Sequence, residues 1–405
     1  MSEAFDAVVV GGSTVGAAAA LALARLGHEV AIIDRSEPAD TADDAPLDAR
    51  VVAVSPGSMQ LLEALEAWRH VREGRIAAYH EMQVMSGRGH VEFAAGEHGL
   101  PALGWIVELG ELDRACWQAL AARRRITRLV PGEVEAIDID GDAARIRLSD
   151  GNRVEGAMLI GADGQQSRVR TAAGIGVTSH HYNQKAIVTH LETEKLNPGI
   201  AWQRFTELGP LALLPLPEGR SSLVWSVHDD EAARLMQLDD ETFCDALAEH
   251  AAGSPFGAFE TLGQRHAIPL VRRQSGALAA GRVALAGDAA RSVHPLAGQG
   301  LNLGLGDVAA LIEQLSNMNT GGMKPGADPT RRLARYSRRR FSDSVLVAGG
   351  IHLFNEVRTL GTPGLYAMGA GFDAMRLSRS ARDAFVQRAS GLSEARKACR
   401  ALNDL

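Results

Sequence analysis

Residues 11–16 read Gly-Gly-Ser-Thr-Val-Gly, and Asp34 follows at the end of a second apolar run. The chemistry this spacing serves is the gripping of a diphosphate. A first glycine makes the tight turn, a middle one lets backbone meet the anion, and a third lets helix pack on strand. The helix that opens after the turn offers unpaired N–H groups and roughly half a positive charge. Gly11, Gly12 and Gly16 keep the pattern, while Ser13 takes the middle place. Its Cβ crowds the phosphate approach, and its hydroxyl can donate to a phosphate oxygen. A carboxylate at Asp34 can accept from a ribose diol, and Arg35 beside it joins the candidate site.

The loop has the flanks that such a site needs. Residues 7–10 are a short apolar run that predicts a buried strand. Residues 14–26 are rich in Ala and Leu and predict a helix, which Gly27 stops. Residues 30–33 predict the next strand, completing a βαβ opening. The loop alone does not separate NAD from FAD.

Further along, residues 112–125 predict a helix and 132–164 a strand meander with turns at Gly141-Asp142 and Asp150-Gly151. Short strands are expected at 186–192, 200–207, 211–216 and 221–227, separated by Pro210, Pro215 and Pro217-Glu218-Gly219. These read as an antiparallel sheet in a second domain, with a helix at 239–251. A buried strand at 283–286 precedes Gly287-Asp288, a helix follows at 301–315, and the polar, Gly-rich stretch 317–329 reads as a mobile loop. From 330 onward the chain is mostly helical.

A length of 405 residues suits two domains, interleaved in sequence. The net charge of −7 argues against a nucleic-acid partner. Residues 331–340, Arg-Arg-Leu-Ala-Arg-Tyr-Ser-Arg-Arg-Arg, form a basic block with two readings: a solvated helix face, or contact with an anionic membrane surface. Cys116, Cys244 and Cys399 are far apart, which fits a reducing cytoplasm and neither a disulfide framework nor a metal site. No apolar run approaches spanning length, and Glu3 and Asp6 are unlike a signal peptide's basic start. His180-His181 reads as a loop pair.

Three later segments carry a family resemblance. Residues 161–170, Gly-Ala-Asp-Gly-Gln-Gln-Ser-Arg-Val-Arg, resemble the Asp-Gly motif of the flavoprotein aromatic hydroxylases, and residues 281–290 resemble their Gly-Asp motif. The latter runs on into His294-Pro295-Leu296-Ala297-Gly298-Gln299-Gly300-Leu301-Asn302. Segments 48–55, 182–188, 201–205, 209–215 and 352–355 are similar to the ubiquinone-biosynthesis hydroxylases among the FAD-dependent aromatic monooxygenases. The resemblance implies an α/β (α+β composite) fold: a glutathione-reductase-like Rossmann FAD-binding domain, an inserted antiparallel-sheet substrate domain and a helical C-terminus. The expected pieces are 1–78, 106–179 and 271–318 for the FAD domain, 79–105 and 180–270 for the substrate domain, and 319–405 for the helical region.

By the same resemblance, Gly11, Gly12, Gly16 and Asp34 hold the ADP half of FAD, and Arg50 lies near flavin and pyrophosphate. Asp163 serves the FAD site and the nicotinamide path, and Gly287-Asp288 binds the ribityl or pyrophosphate side. Pro295, Gly298, Gly300, Leu301 and Asn302 follow the isoalloxazine edge. Implied are NADH or NADPH as donor, dioxygen as co-substrate, and ring hydroxylation through a flavin hydroperoxide. The substrate is a small aromatic compound, a polyprenyl phenol or quinol by the nearest resemblance. Gln203 and Phe205 are its candidate contacts, on one strand face with Arg204 opposite. No residue is assigned as catalytic base. A peripheral place on the inner membrane face, or in a biosynthetic complex, suits such a substrate. Another aromatic substrate and a non-catalytic accessory subunit remain open alternatives. Arg291 stands where the family usually carries His, and Met85-Ser86 where a Trp-Asp pair is common.

Overall fold

An apolar run such as 7–10 finds its place in a sheet covered on both faces. The computed structural model describes residues 3–293, 299–316 and 328–404. The strands are β1 (Glu3–Val10), β2 (Val30–Ile33), β3 (Val51–Val54), β4 (Ile76–Tyr79), β5 (Glu81–Ser86), β6 (Gly89–Ala94), β7 (Gly104–Glu108), β8 (Ile126–Leu129), β9 (Val134–Ile139), β10 (Ala144–Leu148), β11 (Arg153–Gly161), β12 (Val177–Thr193), β13 (Ile200–Phe205), β14 (Pro210–Pro215), β15 (Ser221–His228), β16 (Phe259–Ser275), β17 (Ala279–Ala280), β18 (Val283–Leu285) and β19 (Arg291–Ser292). The helices are α1 (Thr14–Arg25), α2 (Pro56–Ala64), α3 (Leu109–Ala121), α4 (Arg168–Ala172), α5 (Asp229–Gln237), α6 (Asp240–His250), α7 (Gln299–Leu315), α8 (Thr330–Arg358), α9 (Thr362–Leu377), α10 (Arg379–Ser390) and α11 (Leu392–Asn403).

The first sheet runs β17-β18-β11-β1-β2-β8, with β10 and β9 attached at β11. Its central pairings, β11–β1, β1–β2, β2–β8 and β11–β18, are parallel. Helix α1 lies against α3 and α7. Its run of Ala keeps it slim and strongly helical, and ten of its twelve residues are buried. Gly27 ends it at φ +93°, a left-handed geometry that only glycine adopts cheaply.

The second sheet runs β19-β16-β12-β15-β14-β13-β5-β6. Helices α5 and α6 cover part of it through Trp202, Trp225, Phe243 and Phe256. Helices α9 and α10 cover β5, β6 and β13 through Val84, Phe93, Phe205, Phe372 and Val386. Helix α9 comes close because two glycines face each other there: a Cβ on Gly89 would lie 2.0 Å from the Gly369 carbonyl oxygen. Ser86, in the place where a Trp-Asp pair is common, donates to the Leu365 carbonyl at 2.9 Å and ties α9 to β5. A third sheet, β3-β7-β4, completes the fold.

One expectation is corrected and one is refined. His180 and His181 are not in a loop but in β12, opposite Arg272 and Val271. The strand was hidden because its partner β16 carries Gly263 and Pro269 and shows no clean alternation of burial. The basic block 331–340 lies in α8 and winds around it, so only part of it is the solvated helix face expected. Arg331, Arg335 and Arg338 face solvent, whereas Leu333, Tyr336 and Arg340 are buried. Pro295, Gly298 and most of the expected loop at 317–329 lie outside the described residues.

Candidate active site

Parallel strands end on one side, and ligands of such sheets bind beyond their carboxyl ends. Here those ends carry Gly11 after β1, Asp34 after β2, Ala162-Asp163 after β11 and Gly287-Asp288 shortly after β18. Backbone bonds lock them together: Gly11 N–H to Ile33 carbonyl at 2.9 Å, Ala162 N–H to Val10 carbonyl at 2.8 Å, and Ala286 N–H to Gly161 carbonyl at 2.9 Å. The glycines are required by contact. A Cβ at Gly11 would sit 2.2 Å from the Ala162 oxygen, one at Gly16 1.9 Å from the Gly11 oxygen, and one at Gly12 2.6 Å from the Trp117 ring. Trp117 also donates its indole N–H to the Gly12 carbonyl at 2.6 Å.

The acids around this crevice are individually engaged. Asp34 accepts from the Gly12 N–H and, at 3.3 Å, from the Ser36 N–H. Asp113 of α3, which sequence reasoning passed over, caps α1 from outside. It accepts from the Thr14 N–H at 2.6 Å, the Thr14 hydroxyl at 2.5 Å and the Ser13 hydroxyl at 3.0 Å. Ser13 is thus held by Asp113. Burial pushes the Asp113 carboxyl above its ordinary value, opposed by the Thr14 and Ser13 donors and by Arg50. Asp163 accepts from the Ser167 hydroxyl and from the Arg168 N–H at 2.7 Å, anchoring the start of α4. Asp288, at the Gly-Asp turn, is exposed and accepts from Gln165 Nε2 at 3.4 Å. Desolvation there raises its carboxyl, against the pull of Gln165, Arg291 and Arg273.

Arg291 has a structural partner of its own. It donates to Asp307 of α7 at 2.8 Å, and Arg340 of α8 donates to the same carboxylate oxygen at 2.8 Å. All three side chains are buried. The other Asp307 oxygen accepts the Gly287 N–H at 3.1 Å, so this cluster ties the Gly-Asp turn to α7. Burial alone would lower Arg340, but Asp307 and Glu394 hold it charged, above its usual value. Tyr336 donates to the Leu285 carbonyl at 2.6 Å from the same helix. None of these partners stands at a spacing that a sequence motif would reveal.

The remaining candidates divide. Asn302 clamps α7 to the end of β3, accepting from the Ser55 N–H at 2.9 Å and donating to the Ala53 carbonyl at 2.8 Å. Gly300 and Leu301 lie in the first turn of α7. Arg50 is exposed and 3.6 Å from Asp48, and Arg35 is exposed beyond β2. Gln203 and Phe205 share one face of β13 and line a cavity of about 930 Å³, together with Ser55, Ser58 and Asn302 at the α7 side. Arg204, on the opposite face, donates to the Ala252 carbonyl.

These residues fit a flavin dinucleotide: a glycine-floored turn that any Cβ would fill, a helix start for the diphosphate, and carboxylates for hydroxyl groups. The arrangement agrees with the comparisons. Residues 4–343 match the family model described as an FAD binding domain. The 3-demethoxyubiquinol 3-hydroxylase of Escherichia coli is 38% identical over 86% of this chain and 88% of its own length. A ubiquinone hydroxylase of Rhodospirillum rubrum is 36% identical over 84% of this chain and 79% of its own. In fold, the crystal structure of p-nitrophenol 4-monooxygenase from Pseudomonas putida superposes with a TM-score of 0.75 at 19% identity, covering 97% of this chain and 99% of that one. A match of that length, with relatives this similar end to end, makes the chain a member of the FAD-binding family of flavoprotein monooxygenases.

Proposed function

We propose that this enzyme hydroxylates the ring of a prenylated phenol or quinol on the route to ubiquinone, with NADH or NADPH as donor and dioxygen as oxygen source. The observation that carries the reading is the cavity. Its volume of about 930 Å³ is near the top of the roughly 300–1,000 Å³ range of small-molecule sites, more than a bare phenol fills. Ser55 and Asn302 line it beside α7; Val84, Val91, Phe93, Phe205, Phe372 and Met375 give it an apolar wall, and charged side chains of α8, α10 and α11, among them Arg340, Arg388 and Lys397, line the remainder. A ring at the polar end and an isoprenoid tail along the apolar walls match that division.

Bound FAD supplies the electron transfer and oxygen activation; the chain's residues position and shield. Helix α7 begins at Gln299, so its first-turn N–H groups lack helical partners. Such a terminus favours an adjacent anion by roughly 0.3–2 kcal/mol, from under twofold to about thirtyfold in rate. Gln203, buried in the apolar floor, is placed to orient a ring hydroxyl. The apolar walls exclude water from the reacting end. Substrates with long tails reside in lipid, so the reading also places the protein at a membrane periphery.

The test is turnover by the FAD-loaded full chain with NADPH and a short-chain prenyl phenol. The expected product carries one added ring oxygen, located by mass spectrometry. Turnover of an unprenylated phenol, with only uncoupled peroxide from every prenylated precursor, refutes the substrate class.

A further inference from the structure

Helix α9 is apolar on both sides. Its inner side packs on the second sheet through Leu365, Met368 and Phe372. Its outer side leaves Pro363, Tyr366, Ala367, Ala370, Ala374 and Leu377 exposed, at the i, i+3, i+4 spacing of one helix face. Tyr366 is 48% and Leu377 80% exposed, and Leu360, one turn before the helix, is 69% exposed. Together with Phe385 these account for four of the seven large exposed hydrophobic residues described. Scattered exposed apolar residues need no explanation, but a continuous apolar stripe does.

The charge around this stripe is the reverse of the chain's. Residues 376–400 carry seven basic and two acidic side chains, in a protein of net charge −7. Arg379, Arg396, Lys397 and Arg400 line a cleft of about 660 Å³ between α10 and α11, with Glu97 and Asp383 as its acids. The large cavity opens next to it: Phe385 and Arg388 of α10 and Lys397 of α11 line that cavity and are exposed. An apolar stripe with an interfacial tyrosine and a basic border is the composition of a surface that lies in a lipid headgroup layer. Basic side chains near an anionic leaflet add attraction that salt screens.

We propose that the outer face of α9, with the basic cleft between α10 and α11, seats this enzyme on an anionic phospholipid bilayer. The cavity then opens toward lipid between α10 and α11. The docking itself rests on the stripe and the charge; its use for substrate entry rests on the prenylated substrate proposed above.

The experiment is co-sedimentation of the FAD-loaded full chain with vesicles of phosphatidylcholine alone or with phosphatidylglycerol. Binding to the phosphatidylglycerol vesicles is expected, reduced at least tenfold in high salt. Tyr366→Glu with Leu377→Glu, and separately Arg396→Glu with Arg400→Glu, should each weaken it at least tenfold. Flavin content and melting temperature, read on the same samples, should stay at wild-type values, which shows that the variants fold. Wild-type protein left in the supernatant with both vesicles overturns the proposal. So does wild-type binding by the α9 double variant, or a dimer in solution that this variant converts to monomer without any vesicle binding. No substrate enters the assay, so vesicle binding without hydroxylation of any prenylated precursor would sink the substrate reading and leave the docking intact.

Discussion

Asp307→Asn removes one negative charge from between two guanidinium groups and leaves the side-chain shape nearly unchanged. In the wild type Asp307 is wholly buried and accepts from Arg291 and Arg340 at 2.8 Å each and from the Gly287 N–H at 3.1 Å. Removing one partner of a buried ion pair costs about 3–5 kcal/mol, because the surviving charge stays desolvated. Arg340 keeps Asp343 and Glu394, both at 3.4 Å. Among the described residues, Arg291 keeps the Leu303 carbonyl alone, at 3.0 Å. The lower end, about 3 kcal/mol, is therefore expected. Domains of 150–250 residues shift by about 2–4 °C per kcal/mol, and a longer chain by less, so the melting temperature should fall by roughly 3–6 °C. Calorimetry of the flavin-free protein measures this without any contribution from ligand. FAD affinity should fall as well, since the single amide oxygen of Asn cannot accept from both the arginines and the Gly287 N–H. A double change, Asp307→Leu with Arg291→Met, should recover part of the loss, because replacing both partners leaves fewer stranded charges. A melting temperature within about 1 °C of wild type for Asp307→Asn would refute the reasoning: the two arginines would then be compensated by something other than Asp307.

Three further outcomes follow from the same geometry. Asp288→Ala should purify with little flavin and regain less than stoichiometric FAD on titration, read by absorbance. Asp113→Asn should bind FAD more tightly by up to about thirtyfold, the upper scale of one charge at a helix start; fluorescence quenching measures it. Because the Asp113 carboxyl is raised, wild-type affinity should be higher at low pH, where the group is neutral, and fall as pH rises through that value, while Asp113→Asn stays flat. His28 is buried, with its pKa lowered by desolvation against the pull of Asp6. The unfolded chain then takes up a proton first, so stability should drop as pH falls below about 6.5, by up to about 1.4 kcal/mol per pH unit. The gap between the denaturation midpoints of wild type and His28→Gln should be constant above that pH and change below it, where the wild type alone loses this contribution.

The nucleotide-binding half was legible because each local signal pointed the same way. Residues 7–10 were apolar enough to be central, Gly11 and Gly16 had spacings that only close contact explains, and Asp34 ended the next strand. The structure puts Gly11 and Asp34 just beyond the carboxyl ends of β1 and β2, and Gly16 in the first turn of α1. The second sheet was legible where strands are short and bounded by proline, as at 210–215. It was not legible in β16, whose seventeen residues contain Gly263 and Pro269. The cross-chain partners were also invisible. Asp113 meets Thr14 across 99 positions and Arg340 meets Asp307 across 33, and no periodicity within a helix announces such pairs. Two departures from the family pattern gain an explanation only in three dimensions. Ser13 donates to Asp113, and Arg291 replaces a neutral ring by a cation that Asp307 compensates.

The charge of the crevice raises a problem that its hydrogen bonding answers. Four carboxylates, Asp34, Asp113, Asp163 and Asp288, border a site that must accept a diphosphate. Three of them accept backbone N–H groups: Gly12 for Asp34, Thr14 for Asp113, and Arg168 for Asp163. Those bonds shape the loops and draw off charge, as amide donors do for carboxylates. Asp288 is different: its contact with Gln165 is long, at 3.4 Å, and it is exposed. A carboxylate in that state is best matched by hydroxyl donors, which a ribityl chain has and a phosphate lacks. Riboflavin should therefore retain measurable binding to the wild type and lose it in Asp288→Ala, whereas ADP should bind both alike. Equal loss of ADP binding in Asp288→Ala would mean that the residue holds the loop and not the ligand.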